Sequence, residues 1–312
     1  MSNVARIFIC SLALLFANAS HATDNQTHDR LPRAVEINGV ELLRIPAGWF
    51  WYVVGNGDVA NLAPDQPRYR DVKVWLDDYY IGKYEARARD FERYLNAVSD
   101  RHQDLFPSAD TESCTVRKND AGRYVLIDAQ NDMPATNLSW QVADEFARWM
   151  GMRLPNEAEW VKAARGTDKR IWPWGNQYPD DTLANFAGGS TCQSMAVTGH
   201  PAGVSPFGVY NLAGNVFEFV ADWYNHARDA SLKDGVRNPP LATEGSAIRG
   251  EKMPQKIIKG GRWASEALSI SIAHRERTVA STGFLCYGAR FAMDADAVRA
   301  ALREGRAIVL AP

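Results

Sequence analysis

The residues with the clearest chemical potential lie in one short stretch, Gly208 to Trp223. There Asn211, Gly214 and Glu218 stand among large apolar residues at a spacing that fits neither a helix nor a strand. Glycine permits tight turns that point carbonyl oxygens inward, and Asn and Glu add side-chain oxygens. Hard cations such as calcium bind about six to eight oxygens. The stretch is therefore interpreted either as a metal-stiffened loop or as a polar turn between two buried strands.

The histidines and cysteines show no metal-site spacing. No two histidines lie four residues apart, and the cysteines beyond the N-terminal segment are Cys114, Cys192 and Cys286. In an oxidising compartment, three cysteines permit one disulfide and leave one thiol free. Spacing alone leaves the pairing open, but we favour Cys114 with Cys192 because both lie in polar, loop-like sequence.

The N-terminus has the pattern of a cleavable secretory signal. Arg6 precedes an apolar segment, residues 7–17, and Ser20-His21-Ala22 forms a small-x-small cleavage site. That segment is too short to span a bilayer. We therefore expect a signal peptide over residues 1–22, a flexible N-terminus over residues 23–36, and localisation to the periplasm without a membrane span.

The composition is typical of one globular domain over residues 37–312. Hydrophobic residues make up 46% of the chain, and the formal net charge is −2. No basic patch stands out, which argues against nucleic acid or an anionic membrane surface as a partner. The ten Trp and eleven Tyr suit irregular loops held by large buried rings.

Few segments carry a regular hydrophobic period. Helices are predicted for Arg87 to Val98, after the cap Ser139, after Asn156 in a capping box with Glu159, and for Asp296 to Glu304. Elsewhere, short extended runs are broken by Gly, Pro and Asn, as at residues 72–75 and 124–127. The predicted fold class is α+β, with much irregular structure.

Two further motifs have a structural and a functional interpretation. Glu157 and Glu159 could act as an acid/base pair, but we favour helix capping and a salt bridge to Arg165, since acidic residues suit a first helical turn. The turn from Trp172 to Asn176 could stack on a substrate, but we favour core packing.

The motifs occur in an order that resembles the formylglycine-generating-enzyme, or sulfatase-modifying-factor, domain family. Five ordered motifs over about 140 residues are far more specific than any one of them. They are Met152–Trp160 with Ala163–Gly166, Trp172–Asn176, Gly208–Trp223, Ile258–Trp263 and Gly288–Phe291, preceded by Ile45–Phe50 and Tyr80–Glu85. The resemblance covers roughly residues 37–293 and implies a C-type-lectin-like topology.

The resemblance also implies a structural calcium ion on the loop. Carried over by position, its ligands are the Asn211 side chain, the carbonyl oxygens of Gly214 and Val216, and the Glu218 carboxylate. The family's second calcium site is matched only at Asn185 and Phe186, since the later Asp is missing here.

In sulfatase-activating members, two cysteines that bind copper(I) follow the Gly-Gly-Arg-Trp motif. The matching positions here are Ser265 and either Ser269 or Ile270. Because copper(I) requires soft thiolate ligands, we expect neither thiolate-bound copper nor activation of sulfatases by that mechanism.

The same segment supplies the candidate catalytic and substrate-binding residues. Glu266 could be a general base if nearby rings shield it from water and raise its pKa. His274 could be a second proton carrier or a metal ligand. The alternatives are a salt bridge from Glu266 to an arginine and a structural role for His274. The candidate substrate-binding residues are Arg262, Trp263, Ser265, Arg277 and Phe217.

An exported family member without the cysteine pair resembles the branch that matures the siderophore pyoverdine. That resemblance implies oxidation of dihydropyoverdine to pyoverdine, with molecular oxygen or another acceptor taking the electrons. The expected partners are a siderophore precursor and other periplasmic maturation enzymes. The alternative is a non-catalytic, lectin-like binding or accessory protein, because such scaffolds also display binding loops.

Overall fold

The computed structural model describes residues 31–55, 69–98, 115–127, 132–188, 193–246 and 253–311. In chain order the strands are β1 (Ala34–Ile37), β2 (Val40–Ile45), β3 (Gly48–Gly55), β4 (Tyr69–Leu76), β5 (Tyr79–Gly82), β6 (Val116–Lys118), β7 (Tyr124–Leu126), β8 (Phe217–Trp223), β9 (Gln255–Lys259), β10 (Glu276–Val279), β11 (Tyr287–Ala289), β12 (Ala292–Asp294) and β13 (Ala307–Val309). The α-helices are α1 (Ala88–Val98), α2 (Trp140–Trp149), α3 (Glu157–Arg165), α4 (His226–Ser231) and α5 (Ala295–Arg303), and 3-10 turns span Pro201–Gly203 and Ala267–Ile270. The predicted α+β class is confirmed.

Two sheets and two hairpins make up the β structure of these residues. The first sheet has the order β12-β5-β2-β1-β13, with every neighbouring pair antiparallel. The second has the order β10-β9-β8-β11, in which only β8 and β11 run parallel. Strands β3 and β4 form one hairpin, and β6 and β7 the other. The parallel pair is important for the site because it joins residues about 70 positions apart.

The helices begin where the sequence predicts. The Ser139 hydroxyl accepts a hydrogen bond from the Val142 amide at the start of α2. At the start of α3, Asn156 and Glu159 form the predicted capping box, in which each side chain accepts from the other residue's backbone. Side-chain caps satisfy amides that have no partner inside the helix.

Two large apolar clusters form the core. One packs α1 and α2 around Phe91, Phe146 and Phe291, and the other packs α3 against β3 and β8 around Tyr52 and Trp160. The alternation of β3 explains its part, since Phe50, Tyr52 and Val54 point inward and are at most 1% exposed. Among the residues described, no helix combines the length and apolar character needed to cross a membrane.

Trp172 confirms the interpretation of its turn as core packing. It is 3% exposed, stacks on Trp174 and donates its indole N–H to the Ala267 carbonyl at 3.0 Å. The turn that contains Trp172 therefore fixes the position of the 3-10 turn Ala267–Ile270, which lies beside the candidate site.

The N-terminal boundary differs from the prediction. Strand β1 starts at Ala34, inside the segment 23–36 that was expected to be flexible, because its backbone pairs with both β2 and β13. The expected signal peptide, Cys114 and Cys192 lie outside the described residues.

Candidate active site

A cleft of about 430 Å³ brings most of the candidate residues together. It lies where the start of β8, the chain after β9, the start of β10 and the segment before β11 meet. It is lined by Phe217, Arg262, Ala264, Ser265, Glu266, Ser269, His274, Glu276, Phe284, Cys286 and Tyr287. Volumes of this order are typical of small-molecule sites.

The parallel pairing of β8 with β11 builds the floor of the cleft. It sets Phe217 opposite Tyr287, with ring centroids 6.0 Å apart in an edge-to-face arrangement. Phe284 extends this aromatic surface to the rim, where it is 49% exposed. The three rings offer a flat ligand an apolar surface.

Glycine is required where the chain leaves β9 for the cleft. Gly261 has a φ of +75°, and a Cβ there would lie 2.7 Å from Ile270 and 2.9 Å from the Ser269 carbonyl oxygen. The Ser265 hydroxyl then accepts a hydrogen bond from the Arg262 amide at 3.0 Å. This tight turn directs the Arg262 side chain to the cleft.

A buried thiol lies beside that arginine. Cys286 is 1% exposed, and burial raises its pKa to about 11, although the Arg262 guanidinium hydrogen-bonds to the sulfur. The thiol is therefore protonated at neutral pH and a poor nucleophile. Its place in the cleft was not anticipated from the sequence, where the neighbours Phe284 and Leu285 indicated only an apolar environment.

His274, two residues before β10, and Glu276, the first residue of β10, form one wall of the cleft, called here the β10 wall. Their Nε2 and Oε2 atoms are 3.9 Å apart. Burial lowers the pKa of His274, as does the nearby Lys259, whereas Glu276 acts in the opposite direction. His274 is therefore largely neutral at pH 7 and can accept a proton. The Glu276 carboxylate faces the cleft.

Glu266 lies at the mouth of the cleft, and its side chain is exposed. The expected shielding from water is therefore wrong, because the ring of Trp263 is turned into the core. Within the described residues Glu266 forms no ion pair, so the alternative salt bridge to an arginine is also not found there. Its exposed carboxylate remains available to a ligand.

Two candidate residues lie away from the cleft. Trp263 is 1% exposed in the core, and its indole N–H has no hydrogen-bond partner among the described residues. Arg277 stacks over Tyr224, 5.2 Å from the ring centroid, because it alternates with Glu276 along β10 and faces the other side of the sheet.

A buried ionic network anchors this wall from behind. Arg275 makes two hydrogen bonds of 2.7 Å to Glu157 and also pairs with Asp229. The Lys259 ammonium donates to the His274 carbonyl at 2.6 Å. The expected salt bridge from α3 carboxylates to Arg165 is therefore wrong. Glu157 instead pairs with Arg275, which lies just before β10 and is 118 residues away in the chain.

The other charged residues of α3 also have partners that the sequence did not indicate. Glu159 binds Arg153 at 2.7 Å, and Arg165 pairs with Asp71 of β4. The structural interpretation of Glu157 and Glu159 holds, since both are buried and ion-paired outside the cleft.

The predicted calcium loop surrounds a buried carboxylate that already has a cation. Glu218 is 0% exposed and receives two hydrogen bonds from Arg290, at 2.6 and 3.0 Å. It also accepts the Trp160 indole N–H at 2.7 Å. On the same loop, Gly214 has a φ of +79°, and a Cβ there would lie 2.2 Å from the Asn185 carbonyl oxygen. Val216 is fully buried beside it.

A second buried carboxylate faces this group. Glu85 accepts amide hydrogen bonds from Asn211 at 2.9 Å and from Asn215 at 3.0 Å. Burial and the Glu218 charge raise its pKa to about 8. The sequence placed Glu85 only in an opening motif, because nothing local shows that it meets a loop 126 residues away.

The donor chemistry of this loop fits calcium. Glu218 is hydrogen-bonded to Arg290, whereas Glu85 is hydrogen-bonded to two neutral amides, so the two carboxylates need a proton or a further cation to be neutral. The ion would be held by the Asn211 amide oxygen, the carbonyl oxygens of Gly214 and Val216, and the Glu218 carboxylate. It would stiffen the loop under the cleft. Calcium remains a prediction.

We expect purified protein to contain calcium and a chelator to lower its melting temperature. In Glu218→Ala the chelator should no longer change the melting temperature. This variant also loses the pair with Arg290, so the quantity to compare between the two proteins is the shift in melting temperature that the chelator causes. Elemental analysis without metal, together with identical melting curves, would contradict the prediction.

Within the described ranges, no three His, Cys, Asp or Glu side chains converge as a metal site would require. Of the positions matched to the copper ligands, Ser265 and Ser269 line the cleft, whereas the alternative second position, Ile270, is buried. The candidate site therefore offers carboxylates, an imidazole, a guanidinium and one protonated thiol.

Comparisons with known proteins agree with this architecture. The structure of PvdO from Pseudomonas aeruginosa matches with a TM-score of 0.60 at 23% identity, covering 85% of this chain and 99% of that one. This likeness shows the fold, and the C-type-lectin-like, formylglycine-generating-enzyme topology expected from the motifs is confirmed.

Among sequence relatives, serine/threonine-protein kinase pkn1 of Chlamydia pneumoniae is 27% identical over 79% of this chain and 37% of its own length. The formylglycine-generating enzyme of Thermomonospora curvata is 31% identical over 49% of this chain and 54% of its own length. The chain spans about a third of the length of the first curated relatives it matches.

The sulfatase-modifying factor enzyme 1-like domain matches residues 28–295. That range includes every strand and turn that forms the cleft and the loop beneath it. The chain therefore belongs to the sulfatase-modifying factor enzyme 1-like domain family.

Proposed function

We propose that this protein is an exported oxidoreductase that matures a siderophore chromophore, oxidising dihydropyoverdine to pyoverdine. The observation that carries the proposal is the composition of the cleft, which is lined by three aromatic rings, one guanidinium and two carboxylates. A flat, acidic ring system fits such a surface. The resemblance to the exported branch without copper-binding cysteines supports the same substrate class.

The chain's own residues have distinct tasks in this reaction. Phe217, Phe284 and Tyr287 provide the apolar surface for the ring. Arg262 holds an acidic group of the substrate through charge-assisted hydrogen bonds. Glu266 at the mouth takes a proton from the ring carbon or nitrogen that is oxidised.

The redox balance requires an electron acceptor, for which we propose molecular oxygen. Loss of two hydrogens from the substrate ring releases two electrons and two protons and forms one new double bond. Oxygen takes both electrons and both protons to give hydrogen peroxide. Product and peroxide should therefore appear in equal amounts.

The test is incubation of purified protein with dihydropyoverdine in air and without oxygen. We expect pyoverdine fluorescence and equimolar peroxide in air only. Binding of dihydropyoverdine without any product, under either atmosphere, would instead support the lectin-like binding role and overturn the proposed reaction.

A sulfatase peptide provides the second arm of this test. Because Ser265 and either Ser269 or Ile270 stand where copper(I) needs thiolates, the protein should leave the peptide's cysteine unchanged, whether or not copper is added. Formation of formylglycine at enzymatic rates would contradict this expectation. Active formylglycine-generating enzyme serves as the positive control.

Export and partners complete the proposal. The N-terminal pattern directs the chain to the periplasm, where a siderophore precursor and other maturation enzymes would be its partners. Fractionation of cells that express the full chain should recover a shortened form starting after Ala22.

A further inference from the structure

The β10 wall of the cleft carries a polar pair that the reaction described so far does not use. His274 and Glu276 both line the cleft, with their side chains 29% and 48% exposed. Residues two apart on an extended chain face the same side. Both are therefore accessible to the ligand that Arg262 and the rings would hold.

The backbone between them is fixed by buried cations. Arg275, which points the other way, is 3% exposed and is bound by Glu157 and Asp229. One residue earlier, the His274 carbonyl accepts from Lys259, whose ammonium is fully buried. The pair is consequently held on a rigid segment, which is the arrangement that precise proton transfer needs.

The charges around His274 come from two strands. Glu276 on β10 stabilises the protonated imidazole, whereas Lys259 on β9 destabilises it, and burial favours the neutral form. Across the cleft lie Arg262 and Glu266. Nε2 is the ring nitrogen that lies 3.9 Å from the Glu276 carboxylate. A neutral ring that carries its proton on Nε2 has its lone pair on Nδ1.

We infer that His274 is a second proton acceptor of the cleft and that Glu276 is its positioning residue. The inference deepens the proposed function and rests on it for the substrate. Of the two protons that the oxidation releases, one goes to Glu266 and the other to Nδ1 of His274. Both pass on to the reduced oxygen as hydrogen peroxide forms, so that no proton remains on the protein.

The decisive measurement does not depend on turnover. The imidazole of His274 can be titrated by NMR in the purified full chain, with its resonance assigned by its absence in His274→Gln. In Glu276→Gln the midpoint should move to lower pH, because the charge that stabilises the imidazolium is lost. In Glu276→Asp the midpoint should return part of the way to that of the unmodified protein, since the negative charge is present again.

Glu266→Gln is the matched control, because it removes a carboxylate of the same cleft that does not contact the imidazole. Its midpoint should stay closer to that of the unmodified protein than the midpoint of Glu276→Gln does. Equal midpoints in Glu276→Gln and the unmodified protein, both folded, would overturn the positioning role.

The kinetic arm separates this inference from the proposed function. If dihydropyoverdine is oxidised, the acid limb of kcat/KM in Glu276→Gln should follow the NMR midpoint to lower pH. An unmoved limb would overturn the role of His274 as proton acceptor. Failure to oxidise dihydropyoverdine at all would refute the proposed function, while the titration would still decide whether Glu276 positions His274.

Discussion

Replacing Glu266 by Gln should slow the oxidation of dihydropyoverdine by a factor of about 10² or more. Glutamine keeps the length and the hydrogen-bonding shape of the side chain but cannot accept a proton. The melting temperature should not change, because Glu266 is exposed and has no ion pair among the described residues. Steady-state rates and thermal unfolding of the same preparation measure both effects.

A surface carboxylate outside the cleft gives the matched control. Glu244 is also exposed and does not line the cleft, so Glu244→Gln should retain the full rate. A folded Glu266→Gln variant that oxidises the substrate at the unmodified rate would remove Glu266 from the mechanism.

Replacing Arg290 by Met should destabilise the protein by about 3–5 kcal/mol, the cost typical of leaving a buried charge unpaired. Arg290 and Glu218 are both 0% exposed. The guanidinium also donates to the Gly82 and Tyr210 carbonyls, at 2.8 and 2.7 Å. Methionine has a similar length, so the loss reports on charge and hydrogen bonds more than on volume. Urea unfolding would measure it.

The double variant Arg290→Met with Glu218→Gln separates charge from packing. Glutamine can still accept the Trp160 indole N–H, and the Glu218 charge is no longer left unpaired. With a chelator present in all samples, so that bound calcium does not contribute, much of the lost stability should return. Arg299→Met, which removes an exposed pair with Asp296, should have little effect. A double variant no more stable than Arg290→Met would show that the charge pair is not the cause.

Local features of the fold could be predicted from the sequence. Helix α1 starts one residue after its predicted start, and α5 starts and ends one residue earlier than predicted. The caps of α2 and α3 are as predicted, because capping depends on residues three apart. The strand β13, by contrast, was missed, since its three residues are defined by pairing with β1 and not by a pattern of their own.

The candidate site was predictable in part for the same reason. The segment around Glu266 and His274 was found through its motif. Which face of the second sheet Arg277 occupies depends on the pairing of β10 with β9. The burial of Trp263 depends on how the chain turns after β9, which no local pattern reveals. Cys286 reaches the cleft only because β11 runs parallel to β8.

Buried charges were the least predictable feature. The sequence offered Arg165, in the same helix, as the partner of Glu157. The structure instead joins Glu157 to Arg275, 118 residues away, and Glu85 to Asn211 across 126 residues. Which buried charges pair depends on which segments the topology brings together. These contacts therefore cannot be predicted before the topology is known.

The antiparallel pairing of β1 with β13 also has a consequence for evolution and engineering. Glu36 lies opposite Ile308, so the chain enters and leaves the domain at neighbouring points of one sheet edge. A unit with adjacent ends can be inserted into a loop of a host protein, or circularly permuted, without separating its strands. This geometry suits a cassette that recurs within longer polypeptides, as it does in relatives of which it forms about a third.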